Sequence, residues 1–306
     1  MKCFLHIGTE KTATTTIQKF FHLNRKYLRT KGCLYSQSTG KINNRAFPVA
    51  AYELARRDDF TRRHKIQTNE ALQELQQNII KRVKDEIGSA RNEPDFIIFS
   101  SEHFQSRLTK VSEIQRLKDI LYGLGITDIS VIVYLRSPAD LASSLYSTSV
   151  RAGAIIESPP LPSDPYWNNV CNHKRTIENF GYVFGEQAVI PKLFQKSEFP
   201  NESIILDILN VVGLAVNQKL RMPNNQNEGL SIKAIKVLRG VNRTLPAYLF
   251  NRPNFIREFI ARCIPLFLRG PKYVMSESLQ EKYDVEFSES NEWVRKKYFP
   301  ARENLF

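Results

Sequence analysis

Apolar residues along this chain alternate between short β-branched runs and longer stretches with helical spacing. Cys3 to Ile7 is an apolar run that breaks at Gly8 into the polar segment Thr9 to Thr16. A helix is expected from about Thr15 to Thr30, ended by Gly32, and a short strand at Cys33 to Tyr35. Thr68 to Ile87 places Leu72, Leu75, Ile79, Val83 and Ile87 on one helical face, a stripe that core packing explains fully. Further strands are expected within Asp95 to Phe104, where an apolar run ends in polar, titratable residues, and at Ile129 to Leu135 and Gln187 to Phe194, the last confined to a sheet edge by Pro191. Ser137 and Pro138 supply an N-cap and a first-turn proline for a helix after the run Ile129 to Leu135, and a later helix around Ser203 to Val212 ends at Gly213. Strands alternating with helices predict an α/β fold, with a mainly parallel central sheet between two helical layers.

Between these elements lie segments with less regular patterning. Residues 36–67 are polar and mixed, with Asn43, Asn44 and basic residues from Arg56 to Lys65, and read either as an acceptor-side insertion or as solvated connection. Arg151 to His173 holds Pro159, Pro160, Pro162 and Pro165 with Tyr166 and Trp167, which predicts an irregular loop; its aromatic residues would either stack on a sugar ring or pin the loop to the core. From Asn224 the composition shifts, and Asn227-Glu228-Gly229-Leu230-Ser231 introduces another helix. Arg252 to Arg269 interleaves Phe255, Ile256, Phe259, Ile260, Cys263 and Phe267 with Arg257 and Arg262. Two readings stay open there: a membrane-surface helix, or a buried helix with solvated arginines. One domain over 1–306 is expected, with a mainly helical insertion at about 36–92 and a helical C-terminal portion at about 224–306.

Composition narrows this picture modestly. With 306 residues, 42% of them hydrophobic, the chain can bury a full core and is not disordered. Lys and Arg number 44 against 31 Asp and Glu, a net +13, which suits an anionic ligand, an acidic glycan or an anionic membrane face. Cys3, Cys33, Cys171 and Cys263 are widely spaced with no metal-ligand pattern, so reduced, buried thiols are expected and no metal. No run of apolar residues is long enough to span a bilayer, and the first strand begins almost at Met1, so a cytoplasmic protein is expected, with peripheral contact at the inner face of the membrane left open.

The segment Gly8-Thr9-Glu10-Lys11-Thr12-Ala13-Thr14-Thr15-Thr16 between strand and helix has the outline of an anion-binding loop. A helix N-terminus offers unpaired N–H groups and the positive end of its dipole, and Lys11 and the threonine hydroxyls add a charge and further donors. An ordinary capped strand-to-helix turn would use the same residues. The nucleotide-kinase P-loop needs a glycine directly before its lysine, where this chain has Glu10. The segment instead resembles the 5′-phosphosulfate loop of sulfotransferases, which use 3′-phosphoadenosine 5′-phosphosulfate (PAPS) and read roughly G-x-x-K-[ST]-G-[ST]-[ST]. Gly8, Lys11, Thr12, Thr14 and Thr15 fall on that pattern, and Ala13 departs from it. Glycine there tolerates left-handed backbone angles that alanine disfavours by roughly 1–2 kcal/mol.

Two more segments extend the resemblance. Arg136 follows the strand ending at Leu135, and Ser144 lies about two turns along the next helix, the spacing at which sulfotransferases hold the donor's 3′-phosphate with an arginine and a serine. Without the resemblance, Arg136 would simply pair with Asp140. Ser100-Ser101-Glu102-His103 ends another apolar strand. Transfer to a hydroxyl needs a base, and branches of the family use a glutamate or a histidine there. Strand alternation sends Glu102 and His103 to opposite sides, and the Ser-Ser-Glu run resembles the glycan N-sulfating branch, which favours Glu102. Both residues otherwise read as a helix cap and a packed histidine. The tail from Asn291 to Phe306 loosely resembles the closing segment of bacterial sulfotransferase-like proteins.

The resemblance implies a P-loop-like nucleotide-binding topology and sulfuryl transfer from PAPS to a hydroxyl or amine, with the bisphosphate PAP as product. It leaves the acceptor open among a glycan or glycolipid, a lipid and a small molecule, and it implies no metal and no nucleic acid partner. The residues implied are Lys11, with Glu102 or His103, for catalysis, and Gly8, Lys11, Thr12, Ala13, Thr14, Thr15, Thr16, Arg136 and Ser144 for the donor. A nucleotide or sugar kinase with a variant loop, and a catalytically degenerate nucleotide-binding module, are the rival readings.

Overall fold

The computed structural model describes residues 1–89, 93–224, 229–249 and 252–306. Its elements, in chain order, are β1 (Lys2–Gly8), α1 (Thr14–Arg29), β2 (Cys33–Tyr35), α2 (Ala46–Ala50), α3 (Asp59–Arg63), α4 (Asn69–Gly88), β3 (Phe96–Ser100), α5 (His103–Arg107), α6 (Val111–Gly123) and β4 (Asp128–Leu135). They continue with α7 (Pro138–Ala152), α8 (Pro165–Cys171), α9 (His173–Phe184), β5 (Val189–Leu193), α10 (Ile204–Val212), α11 (Ile232–Thr244), β6 (Tyr248–Leu249), β7 (Arg252–Pro253), α12 (Phe255–Phe267) and α13 (Glu277–Tyr298). The chain divides into two compact units, Met1–Arg136 with His173–Asn225, and Ser137–Asn172 with Gln226–Phe306.

The first unit carries a five-stranded sheet in the order β2-β3-β1-β4-β5. All four pairings are parallel, as the alternation of strands and helices predicts. The β-branched and aromatic run of β4 is buried from Val131 to Leu135, as a strand covered on both faces must be. Phe4, Ile98, Ile132 and Tyr134 face Ile17, Phe20, Phe21 and Leu28 of α1 and Ile205, Ile208 and Leu209 of α10. Cys3, Leu5 and Ile7 alternate to the opposite face and are also buried. α6 and α9 pack on each other, and α9 packs on β4 and β5. β5 pairs on one side alone, which leaves Pro191 on the edge expected for a residue without an N–H donor. Strand order reverses about β1, so the C-terminal ends of β3, β1 and β4 bracket the crevice where open α/β sheets bind ligands.

The second unit is built on Leu141, Leu145, Tyr146 and Val150 of α7, Trp167 and Cys171 of α8, Ile235 and Leu238 of α11, and Tyr283 and Phe287 of α13. Its proline-rich entry differs from the expected irregular loop. Pro165 occupies the first turn of α8, where its missing N–H is harmless, and the Asp164 carboxylate accepts from the N–H groups of Tyr166 and Trp167 at 3.0 and 3.2 Å. Trp167 is buried, so this aromatic residue pins the segment rather than facing outward. Asn227 and Glu228 lie outside the described residues, and Ser231 supplies the N-cap of α11 through the Ala234 N–H at 3.1 Å. Cys3, Cys33 and Cys171 are free and buried, and burial pushes the Cys33 thiol up to about 12. Cys263 is free but half-buried.

Candidate functional site

The loop after β1 is shaped by two constraints on the backbone. Gly8 has φ +108°, and a Cβ there would stand 3.1 Å from the Cα of Glu102 and 3.2 Å from its Cβ, so only glycine fits between the ends of β1 and β3. Thr9 is fully buried, and both its N–H and its Oγ donate to the carbonyl of Tyr134 at 3.0 Å, which ties the loop to β4. The chain then turns through Lys11 at φ 63° and Ala13 at φ 55°, ψ 24° before α1 begins. Ala13 therefore takes a left-handed conformation, which costs an alanine about 1–2 kcal/mol.

Not every threonine is available to a ligand. The hydroxyls of Thr12 and Thr14 are buried and donate to the Thr9 carbonyl at 2.7 and 3.4 Å, which braces the loop. Thr15 is exposed and Thr16 half-buried. At the start of α1 the N–H groups of Thr16 and Ile17 reach the Ala13 carbonyl, at 2.8 and 3.2 Å. Those of Thr14 and Thr15 meet no acceptor among the described residues, which leaves the helix N-terminus open to an anion.

Arg136 follows β4 directly and is held from three sides. Its guanidinium donates to the carbonyl of Lys11 at 3.1 Å and lies 5.8 Å from the ring centre of Phe194. Its own carbonyl accepts from Nε2 of His173 at 2.8 Å. Burial holds His173 down at about 4, so the ring is neutral and Nε2 carries the proton that this bond needs. The Arg136 guanidinium thus reaches the backbone of the loop that carries Lys11. Ser144 lies half-buried on α7 in the second unit, where its carbonyl accepts from the Thr148 hydroxyl at 3.1 Å.

Glu102 and His103 enter different surroundings. Glu102 occupies the N-cap position of α5 without capping it. Its Oε2 accepts from Nε2 of Gln18 at 3.1 Å and Nδ2 of Asn43 at 3.2 Å. Burial pushes its carboxyl above the ordinary range, with the nearby Glu10 adding to the shift and its own N–H, Gln18 and Asn43 opposing it. His103 lies well below the usual imidazole range because of burial and the charges of Arg45, Arg107 and Arg63, with Asp58 opposing. Arg107 stands 3.7 Å from Glu10 and 3.8 Å from Asp58. Asp58 in turn binds Arg45 at 2.5 Å.

Three supporting residues were not singled out as site members from the sequence. Gln18 is one, although a buried polar side chain on the stripe Ile17, Phe20, Phe21, Leu28 is a usable signal. Asn43 is the second. Asn44, the third, donates to the Ser36 carbonyl at 2.9 Å and accepts from the Ser100 N–H at 2.8 Å, which lays the segment after β2 along the end of β3. The carboxylate of Glu86 anchors the same segment through the Ser36 hydroxyl at 2.7 Å and the Gln37 N–H at 2.8 Å.

No family model matches the chain. It is 24% identical over 213 residues to a protein of Archaeoglobus fulgidus described as uncharacterized, a match that covers 67% of this chain and 54% of that one. The chain thus spans about half the length of that curated relative. Among solved structures it is similar to a sulfotransferase from Alicyclobacillus acidocaldarius, at 15% identity and a TM-score of 0.44, over 83% of this chain and 97% of that one.

Proposed function

We propose that this chain is a sulfotransferase that moves a sulfuryl group from PAPS to a hydroxyl or amine of an acceptor, a glycan or glycolipid. The observation that carries the reading is the meeting of three motif segments at one sheet edge. Arg136 touches the Lys11 carbonyl, and Glu102 packs against Gly8. The donor fits this chemistry, because the open N–H groups of Thr14 and Thr15, Lys11 and Arg136 together suit a multiply charged nucleotide.

PAPS supplies an activated sulfuryl group whose leaving group is a phosphate oxygen. Lys11 and the N–H groups at the start of α1 stabilise the negative charge that develops on that oxygen. Arg136, fixed by Lys11, Phe194 and His173, pairs with the 3′-phosphate. Glu102 takes the acceptor's proton as its oxygen or nitrogen attacks sulfur. Its carboxyl, raised by burial, is a stronger proton acceptor than an ordinary carboxylate. His103, packed among arginines, is the weaker candidate. A kinase reading would need the Thr12 hydroxyl at a metal ion, whereas that hydroxyl is buried against the Thr9 carbonyl.

Calorimetric titration with PAP and with ATP, each with and without Mg²⁺, separates these classes. Metal-independent binding of PAP is expected, and Mg²⁺-dependent binding of ATP alone would refute the proposal.

A further inference from the structure

The helix α12 is turned inside out. Arg257 and Ala261 point inward and are 3% and 4% exposed, with Ile264 and Leu268 packed against the same core. Phe255, Ile256, Phe259, Leu266 and Phe267 are all at least 66% exposed. At about 100° per residue these five side chains share an arc of roughly 120°, with Arg262 at its edge. This orientation is locked. The Arg257 guanidinium donates to Oδ1 of Asn242 at 2.9 and 3.0 Å and to the carbonyls of Val150 and Arg151 at 3.2 and 2.6 Å. The Asn254 side chain caps the helix through the Arg257 N–H at 3.2 Å and donates to the Pro246 carbonyl at 3.1 Å. Rotating the apolar face inward would break all of these bonds.

Charge says what this face meets. Residues 229–275 carry nine lysines and arginines against one acid, Glu258, which stands 3.9 Å from Arg262; Arg257 is buried, and Arg239 and Arg243 pair with Glu157, so Arg262, Arg269 and Lys272 are the cations beside the exposed face. Arg262 is exposed on α12 itself, and Arg269 and Lys272 are exposed just beyond its end. A helix of 13 residues is about 20 Å long, and among the described residues no helix is long and apolar enough to cross a membrane. Exposed phenylalanine and aliphatic side chains bordered by basic residues fit the boundary between headgroups and acyl chains of an anionic bilayer.

We propose that the outer face of α12 docks on an anionic lipid surface, with Phe255, Phe259 and Phe267 inserted among the acyl chains and Arg262 at the headgroups. This inference stands apart from the donor reading. In flotation assays the full chain is expected to rise with vesicles of equal parts phosphatidylcholine and phosphatidylglycerol, and less with phosphatidylcholine alone. The double variant Phe259→Asp, Phe267→Asp changes exposed positions, so its melting curve should match that of the parent. Its partition should fall by roughly a hundredfold. Cys263, half-buried on this helix while the other thiols are buried, accepts an environment-sensitive fluorophore whose emission should shift to the blue on the anionic vesicles. Three results would overturn the proposal: no flotation of the parent, equal flotation of the variant, or a dimer in light scattering that the variant abolishes without any vesicle binding, which would assign the face to a second copy.

Discussion

Glu102 keeps its proton above the ordinary carboxylate range because burial and the neighbouring Glu10 outweigh its own N–H and the amides of Gln18 and Asn43. The consequence for stability has a definite sign. A folded-state value raised above the unfolded one contributes stability below the ordinary carboxylate range, and that contribution is lost as pH rises through the raised value. Glutamine at this position keeps an oxygen for Gln18 and Asn43 but carries no charge. Glu102→Gln should therefore make the protein more stable at neutral pH in urea titrations, while single-turnover transfer falls by about 10²–10⁴-fold and loses its acidic inflection. His103→Ala should leave that inflection in place, since burial and the surrounding arginines disfavour the charged imidazole and the inflection belongs to Glu102. Equal and small effects in both variants would remove the base from this segment. Ala13 supplies the second test at this scale. It holds a left-handed conformation at φ 55°, so Ala13→Gly relieves roughly 1–2 kcal/mol of strain, against a smaller gain in unfolded-state freedom. The variant should melt at a higher temperature by differential scanning calorimetry and bind the donor at least as well.

Strands and helices place Lys11 and Arg136 beside each other although they are distant in sequence, because β1 and β4 are parallel neighbours whose C-terminal ends coincide. If the pair holds opposite ends of one nucleotide, Arg136→Ala should weaken PAP binding by about 1.5–3 kcal/mol in calorimetry, the worth of a charged hydrogen bond. Lys11→Ala should abolish transfer and leave the fold unchanged by circular dichroism. Elements of this kind were readable in advance because their causes are local. The run Ile129 to Leu135, the Ser137-Pro138 start of α7 and the Gly213 end of α10 each announce themselves within a few residues. The bonds of the Thr12 and Thr14 hydroxyls to the Thr9 carbonyl were not legible in advance, because that acceptor becomes reachable only once the loop has folded back. Glu102's partners, Gln18 and Asn43, come from other elements, which spacing within one segment cannot reveal. In α8 a count of prolines hid a helix that one of them starts. In α12 periodicity marks an apolar face but carries no information on which way that face points; the buried contacts of Arg257 decide it.

At the scale of the whole molecule, the net +13 divides unevenly, and the division predicts two different responses to salt. Raising salt from about 0.1 M to about 1 M shortens the screening length from about 10 Å to about 3 Å. Attraction between exposed charges and an anionic surface then largely disappears, whereas contacts made at hydrogen-bond distance by half-buried groups persist. Arg262, Arg269 and Lys272 are exposed, and each basic residue near an anionic bilayer is worth about 1 kcal/mol. Their combined loss amounts to roughly a hundredfold in vesicle partition. Lys11 and Arg136 are half-buried at the end of the sheet, so the affinity for PAP should fall by a smaller factor over the same range. Flotation and calorimetry on the same preparation across a sodium chloride series measure both slopes. A steep vesicle slope with a shallow PAP slope assigns the basic C-terminal segment to the lipid surface and the loop cations to the nucleotide. Two equally steep slopes would mean that PAP is held by diffuse surface charge rather than by the loop, and the assignment of Arg136 would fail with it.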